Sequence, residues 1–470
     1  MTHSTHRCRC LCLLLLAIIF TAPAAVDADV TVPQFFGNHM VLQRDKPVKL
    51  WGWADKGEKV TVALGEAQQE TTADDDGRWS VHFPARPASR EPVAITIQGK
   101  DYSLAFDDVL FGDVWICSGQ SNMEWPVTRT NDAKKEIAAA DHPTMRLFTV
   151  KRSKQETPQR DVSGSWGVCS PETVPGFSAV GYFFGRHLQE HVDVPIGLIN
   201  SSWGGTPAEY WTPTSAFEHD PQLKVTSDNE HAKNVMSTPS VLYNGMIAPI
   251  AGLSIRGAIW YQGESNVPMA EHYTKLFSGM IKGWREEFGQ GEFPFLFVQI
   301  APWDYRKIAA WPAGGAPIVR EAQRNTLAVP KTGMVVTTDI GNVEDIHPTN
   351  KQEVGRRLGL AARAIEYGEK IVYSGPMFKS VKFDGNKAIL SFDHLGGGLM
   401  AKGDKLTHFQ IAGEDGKFVD AEAVIEGETV VVKSTEVPTP QAVRFGFSDV
   451  AEPNLFNKDG LPASPFRTDD

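Results

Sequence analysis

The sequence is short of cysteine, of positive charge and of long apolar runs. Five cysteines occur in 470 residues, and three of them, Cys8, Cys10 and Cys12, crowd the amino terminus. Cys117 and Cys169 remain, and one pair, bonded or free, is not a disulfide framework. Lys plus Arg number 46 against 57 Asp plus Glu, a formal charge of −11. That balance excludes nucleic acid as the main partner, because phosphate binding needs a basic footprint. Apart from Leu11–Phe20, no segment approaches the ~18 uninterrupted apolar residues of a membrane span. There is no His-Glu-x-x-His run and no Cys/His cluster, so neither a metal nor another cofactor is called for. No internal repeat is present.

What remains is a globular composition, 41% hydrophobic and 22% charged. Its length suggests two or three domains. Arg7 and Arg9 precede the apolar stretch Leu11–Phe20, and Ala24, Ala25 and Ala28 offer cleavage points. This pattern predicts a signal peptide over 1–28 and a secreted or periplasmic protein with no membrane segment once the leader is cleaved. An uncleaved anchor is the alternative reading.

Residues 29–108 read as a β domain. Short alternating runs such as Val48–Trp53, Lys59–Leu64, Trp79–Phe83 and Val93–Ile97 are separated by turn clusters such as Asp74-Asp75-Asp76-Gly77. The pattern changes at 109. Val109–Cys117 is a nearly continuous apolar run, as expected of a strand buried on both faces. Apolar strands then alternate with helical patterns to about 368. Strands are predicted at Met145–Val150, Val194–Asn200, Ser254–Gln262, Phe293–Ile300 and Met334–Asp339. Helices are predicted at Phe177–His191, Ala270–Phe288, Ile318–Leu327 and Asn350–Glu366, the last with a capping box from Thr349 and Gln352. Such alternation implies an α/β catalytic region, 109–368, with a mostly parallel sheet covered on both sides. From 369 to 470 short strands return.

Ligands of a parallel sheet bind at the carboxyl ends of its strands. Four such ends carry reactive or donor groups: Ser118-Gly119-Gln120-Ser121-Asn122-Met123, Asn200-Ser201-Ser202-Trp203-Gly204-Gly205-Thr206, Gln262-Gly263-Glu264-Ser265-Asn266, and Glu344-Asp345-Ile346-His347-Pro348. A serine nucleophile needs a base, an orienter for that base and donors for the oxyanion. His347 is the best base, with Asp345 or Glu344 as its orienter. Ser121 and Ser265 sit in nearly identical surroundings, and the residues alone leave both open as nucleophile. Gly204, Gly205, Gln262, Asn122 and Asn266 offer donors, and Glu264 lies among them.

These blocks, Gly119-Gln120-Ser121-Asn122-Met123, Trp203-Gly204-Gly205-Thr206, Trp260-Tyr261-Gln262-Gly263-Glu264-Ser265-Asn266 and Asp345-Ile346-His347-Pro348, resemble those of the sialate O-acetylesterases. That family belongs to the SGNH (GDSL-like) hydrolases and is related to acetylxylan esterases. The resemblance runs over roughly 30–470. It implies an SGNH-type three-layer α/β/α core flanked by β-sandwich-like regions at both ends of the chain. It also implies a serine carbohydrate esterase that takes an acetylated carbohydrate as substrate and needs no metal or cofactor.

By the same resemblance Ser121 is the nucleophile and His347 the general base. Gly205 is the oxyanion glycine, with Gly204 as its neighbour, and Gln262 supplies a side-chain donor. Asn122 and Glu264 are candidate substrate-binding groups. Asp345 is the expected third triad member, with Glu344 or a Ser–His dyad as alternatives. Trp125, Trp203, Trp211, Trp303 and Trp311 are candidate faces for a sugar. Arg129, Arg320 and Arg324 are candidate partners for a sialic acid carboxylate. Acetylxylan or another acetylated polysaccharide is the alternative substrate. A non-catalytic carbohydrate-binding protein is the alternative of another class.

Overall fold

The computed structural model describes residues 1–2, 29–224, 230–308 and 311–469. The leader expected over 1–28 lies, after its first two residues, outside the described residues. Among the described residues no helix is long and apolar enough to cross a membrane.

The strand Ser103–Gly119 is the centre of the molecule, and its residues from Val109 onward are all buried. Its carboxyl half lies in a parallel sheet. On one side come Ile196–Ser202 and then His142–Thr149. On the other come Gly257–Tyr261, Phe295–Val298 and Thr332–Val335. Trp166–Cys169 adds one antiparallel edge that the sequence reading had not identified. The chain leaves the central strand in both directions, so Gly119 ends at the switch point where open α/β sheets form their binding crevice.

Alternation along these strands explains why helices cover both faces. Trp115, Cys117, Leu198, Ile259 and Leu296 share one apolar cluster with the helices Ala179–Val192 and Lys351–Ile365. Ile116, Ile199, Trp260, Phe297 and Met334 share another with the helices Tyr273–Phe288 and Gly315–Asn325. The result is the expected three-layer core. The predicted strands and helices of this region all form, with ends moved by a few residues. The cap of the Lys351–Ile365 helix differs from expectation. Asn350, not Thr349, accepts the Glu353 N–H. The Thr349 hydroxyl donates instead to Asn131, and Gln352 donates to the Asn131 carbonyl.

The amino half of the central strand pairs antiparallel with Ser89–Gln98, which pairs with Lys59–Leu64. One continuous strand therefore carries the chain from the first β region into the core. After residue 376 two four-stranded antiparallel sheets enclose their own core, with Leu390, Ile411, Val430, Phe445 and Phe466 inside. This tail is bolted to the α/β layer. The wholly buried Arg320 donates to the carbonyls of Ile300, Ala301, Ser448 and Asp449. Cys117 and Cys169 are both buried and unbonded.

Candidate active site

Gly119 closes the central strand with φ +136, and a Cβ there would lie 2.2 Å from the Tyr261 carbonyl oxygen. Only glycine fits both the backbone angle and the approach. The turn it permits starts the short helix Ser121–Glu124 at the sheet's carboxyl edge. His347 arrives from the loop between Thr332–Val335 and Lys351–Ile365, and its Nε2 lies 2.8 Å from Ser121 Oγ. Ser265 is 7% exposed; its N–H donates to Gln120 Oε1, and no histidine contacts its hydroxyl among the described residues.

Asp345 and Glu344 separate clearly. Asp345 Oδ1 is 3.4 Å from His347 Nδ1 and also accepts the His347 backbone N–H at 2.9 Å. Glu344 turns outward to Lys307 Nζ at 2.8 Å. A second orienter is aromatic. The Trp125 ring stacks on the imidazole with centroids 4.9 Å apart and planes 16° apart. The Arg129 guanidinium lies 3.9 Å from the centroid of the same indole. Burial holds the His347 pKa below its ordinary value; Lys351 and Arg129 act in the same sense, and Asp345 opposes them. Such a shift favours the neutral imidazole, the form a general base needs.

The loop carrying the glycines passes over Ser121, since a Cβ on Gly204 would sit 3.1 Å from Ser121 Cβ. The Gly204 N–H is already taken by Glu124 Oε2 at 2.9 Å. This corrects the expectation that Gly204 is an oxyanion donor. Gly205 is exposed, has φ +73, and its N–H has no acceptor among the described residues. Glu124 was missed by sequence reasoning, although its place three residues after Ser121 puts both on one helix face. Its other oxygen accepts from Arg152 Nε at 2.8 Å.

Three expected substrate-facing side chains lie beneath the site instead. Gln262 is fully buried, and its amide donates to Asn266 Oδ1 at 2.6 Å and the Thr206 carbonyl at 3.3 Å. Its oxygen accepts from the Tyr273 hydroxyl. A buried amide must have its hydrogens satisfied, and here they brace the glycine loop from below. Asn122 donates to Glu264 Oε1 at 2.7 Å and to the Ile346 carbonyl at 3.0 Å, and accepts from Lys351 Nζ at 2.5 Å. It therefore ties the nucleophile's turn to the residue before His347. Glu264 is 2% exposed and meets Asn122, not solvent. Burial raises the Glu264 pKa and lowers that of Lys351 to about 7. No signal in the sequence marks Lys351 as buried; a lysine in a helix's first turn reads as exposed.

The aromatic and cationic expectations also divide. Trp211 is wholly buried, and Trp125 and Trp303 are buried too, whereas Trp203 and Trp311 are half-exposed. Arg320 serves the carbonyls named above and is not available to a substrate carboxylate, whereas Arg324 is half-buried and lies 3.7 Å from Glu321. Arg129 remains exposed. An unanticipated cation stands near the glycine loop. Lys154 Nζ is 5.3 Å from the Trp203 ring and 5.6 Å from the Tyr210 ring.

Comparison with known proteins identifies the family. Residues 111–364 match the family model described as carbohydrate esterase, sialic acid-specific acetylesterase. The human sialate O-acetylesterase is 33% identical over 398 residues, covering 77% of this chain and 76% of the human one. The rat enzyme is 31% identical over 425 residues, covering 77% and 78%. The crystal structure of a carbohydrate acetylesterase from Xanthomonas citri superposes with a TM-score of 0.87 at 41% identity, covering 94% of this chain and 99% of that one. The chain therefore belongs to the sialic acid-specific acetylesterase family of carbohydrate esterases and is a carboxylic ester hydrolase.

Proposed function

We propose that the chain is an extracytoplasmic sialate O-acetylesterase working through an acetyl-enzyme on Ser121. His347 Nε2 takes the Ser121 proton as Oγ attacks the acetyl carbonyl carbon. The Ser121 and Gly205 N–H groups hold the oxyanion, and Asp345 stabilises the imidazolium. The tetrahedral intermediate collapses, and His347 gives its proton to the departing sugar hydroxyl. Water, deprotonated by His347, then attacks the acetyl-enzyme and releases acetate, and the proton returns to Ser121. The observation that carries this reading is the 2.8 Å contact between His347 Nε2 and Ser121 Oγ, at a turn braced by Asn122. The leader pattern supports export.

The test is acetate release from 9-O-acetylated sialic acid and from acetylated xylan, side by side, with Ser121→Ala and Ser265→Ala as controls. Activity on the sialic acid that vanishes in Ser121→Ala and survives in Ser265→Ala is expected. Activity on xylan alone would keep the mechanism and move the substrate. That second reading is favoured by the withdrawal of Arg320 from the surface and by the likeness to the Xanthomonas citri carbohydrate acetylesterase. Loss only in Ser265→Ala would overturn the nucleophile.

A further inference from the structure

The strand Val48–Trp53 pairs antiparallel with Arg78–Phe83. Val48, Leu50 and Gly52 of the first strand point inward, with Trp79, Val81 and Phe83 of the second. The outward positions are therefore Lys49, Trp51 and Trp53, and polar residues belong there. Two of the three are tryptophans, each only partly buried; Trp51 rests with one side on Phe35 and Phe36, at ring-centroid distances of 5.2 and 4.9 Å. The register sets Trp53 opposite Arg78 and Trp51 opposite Ser80. Facing this ribbon is a wall of the α/β core that includes Gln159, Arg160 and Pro249, and the two enclose a cleft of about 440 Å³.

The charge in this cleft is unusual for so acidic a chain. Lys49, Arg78 and Arg160 all line it, and none has a carboxylate partner among the described residues. Lys49 Nζ lies 5.5 Å from the Trp51 ring. The acidic lining residue, Asp74, spends Oδ1 on the backbone N–H groups of Asp76 and Arg78. Indole faces pack on the apolar faces of pyranose rings, and unpaired cations take carboxylates. The volume falls within the ~300–1,000 Å³ of small-molecule pockets.

We infer that this cleft is a second glycan site, which binds an oligosaccharide carrying a carboxylate. Gly252, on its rim, precedes the strand Gly257–Tyr261, whose last residue lies beside Gly119. The cleft and Ser121 are thus at opposite ends of the sheet. An acidic glycan held here leaves the catalytic centre free for an acetyl group elsewhere on the same polymer or on a neighbouring one. The inference rests on membership of a carbohydrate esterase family and not on the Ser121 mechanism. Partly exposed indoles with cations also suit nucleic acid bases, but a chain of net charge −11 repels a polyphosphate.

The experiment is calorimetric titration of the full-length Ser121→Ala protein with sialyllactose, with lactose and with a short oligonucleotide. Trp53→Ala and Arg78→Gln/Arg160→Gln are placed in the same background and, separately, in the active enzyme. Sialyllactose should bind, lactose at least about tenfold more weakly, and both variants should weaken sialyllactose at least about tenfold. In the active enzyme both should keep aryl acetate kcat/KM within about twofold, which shows that the fold persists. Absence of sialyllactose binding, equal binding of lactose, tighter binding of the oligonucleotide, or binding untouched by either variant would each overturn the inference. An enzyme inactive on sialate esters that still binds in this way would sink the substrate reading alone.

Discussion

Replacing Asp345 by Asn removes one charge and leaves nearly every atom in place, so its effect isolates what that carboxylate does for His347. In a triad whose aspartate is buried, the same change lowers kcat about 10⁴-fold. Here the Oδ1–Nδ1 distance is 3.4 Å and the Asp345 side chain is 55% exposed. The contact is longer than a normal hydrogen bond, and water screens it. An exposed ion pair contributes about 0.2–1 kcal/mol, and a well-made hydrogen bond to a charged group about 1.5–3 kcal/mol. A value of about 1–2 kcal/mol lies between them and corresponds to a loss of about 5- to 30-fold in kcat/KM. The Trp125 stack supplies the rest of the orientation. The pH profile gives an independent sign. Asp345 is the influence raising the His347 pKa against burial, Lys351 and Arg129. Asp345→Asn should move the acid limb of kcat/KM to lower pH, and Arg129→Gln should move it to higher pH. The assay is aryl acetate hydrolysis from about pH 5 to 9, with Glu344→Gln as a control expected within about twofold of the parent. A loss near 10⁴, equal to that of His347→Ala, would refute the reasoning, as would an acid limb that does not move.

Lys351 has a folded pKa of about 7 against an ordinary 10.5. Below about pH 7 it is protonated in both folded and unfolded chains. Between these values the unfolded chain binds more protons, so this group makes stability rise with pH. Lys351→Met removes that rise, and its melting temperature relative to the parent should fall between about pH 7 and 9; a pH-independent difference would contradict the assignment. For Gly205→Ala, nothing lies within 4 Å of the added Cβ, so the change acts only through the backbone at φ +73. The strain is about 1–2 kcal/mol, and the Tm should shift by about four degrees or less. Alanine keeps the N–H, so if that group holds the oxyanion, kcat/KM should fall only as far as relaxation of the strained backbone carries the donor off line, by about 2- to 10-fold and well short of the ~10²–10³ for a donor lost outright. A loss of about 10³ or more would show that the residue does more than present its N–H.

The chain by itself determined the alternation of buried strands and amphipathic helices, because periodicity reports which residues face inward. It also determined that Ser121, Gly205, Gln262 and His347 follow strands, where a parallel sheet opens its crevice. Periodicity does not report which hydrogen-bond partner a side chain takes, and the site was decided at that level. Ser121 and Ser265 have nearly the same local sequence, and His347 reaches only one of them across the switch point. Asp345 and Glu344 are adjacent, and Lys307, far away in sequence, draws Glu344 outward. Gln262 looked like a donor to substrate, yet full burial required its hydrogens to be satisfied within the fold. Lys351 and Glu264, charged residues that composition assigns to the surface, are held inside by Asn122. Each of these outcomes depends on groups brought together from distant parts of the chain, which only the tertiary structure supplies.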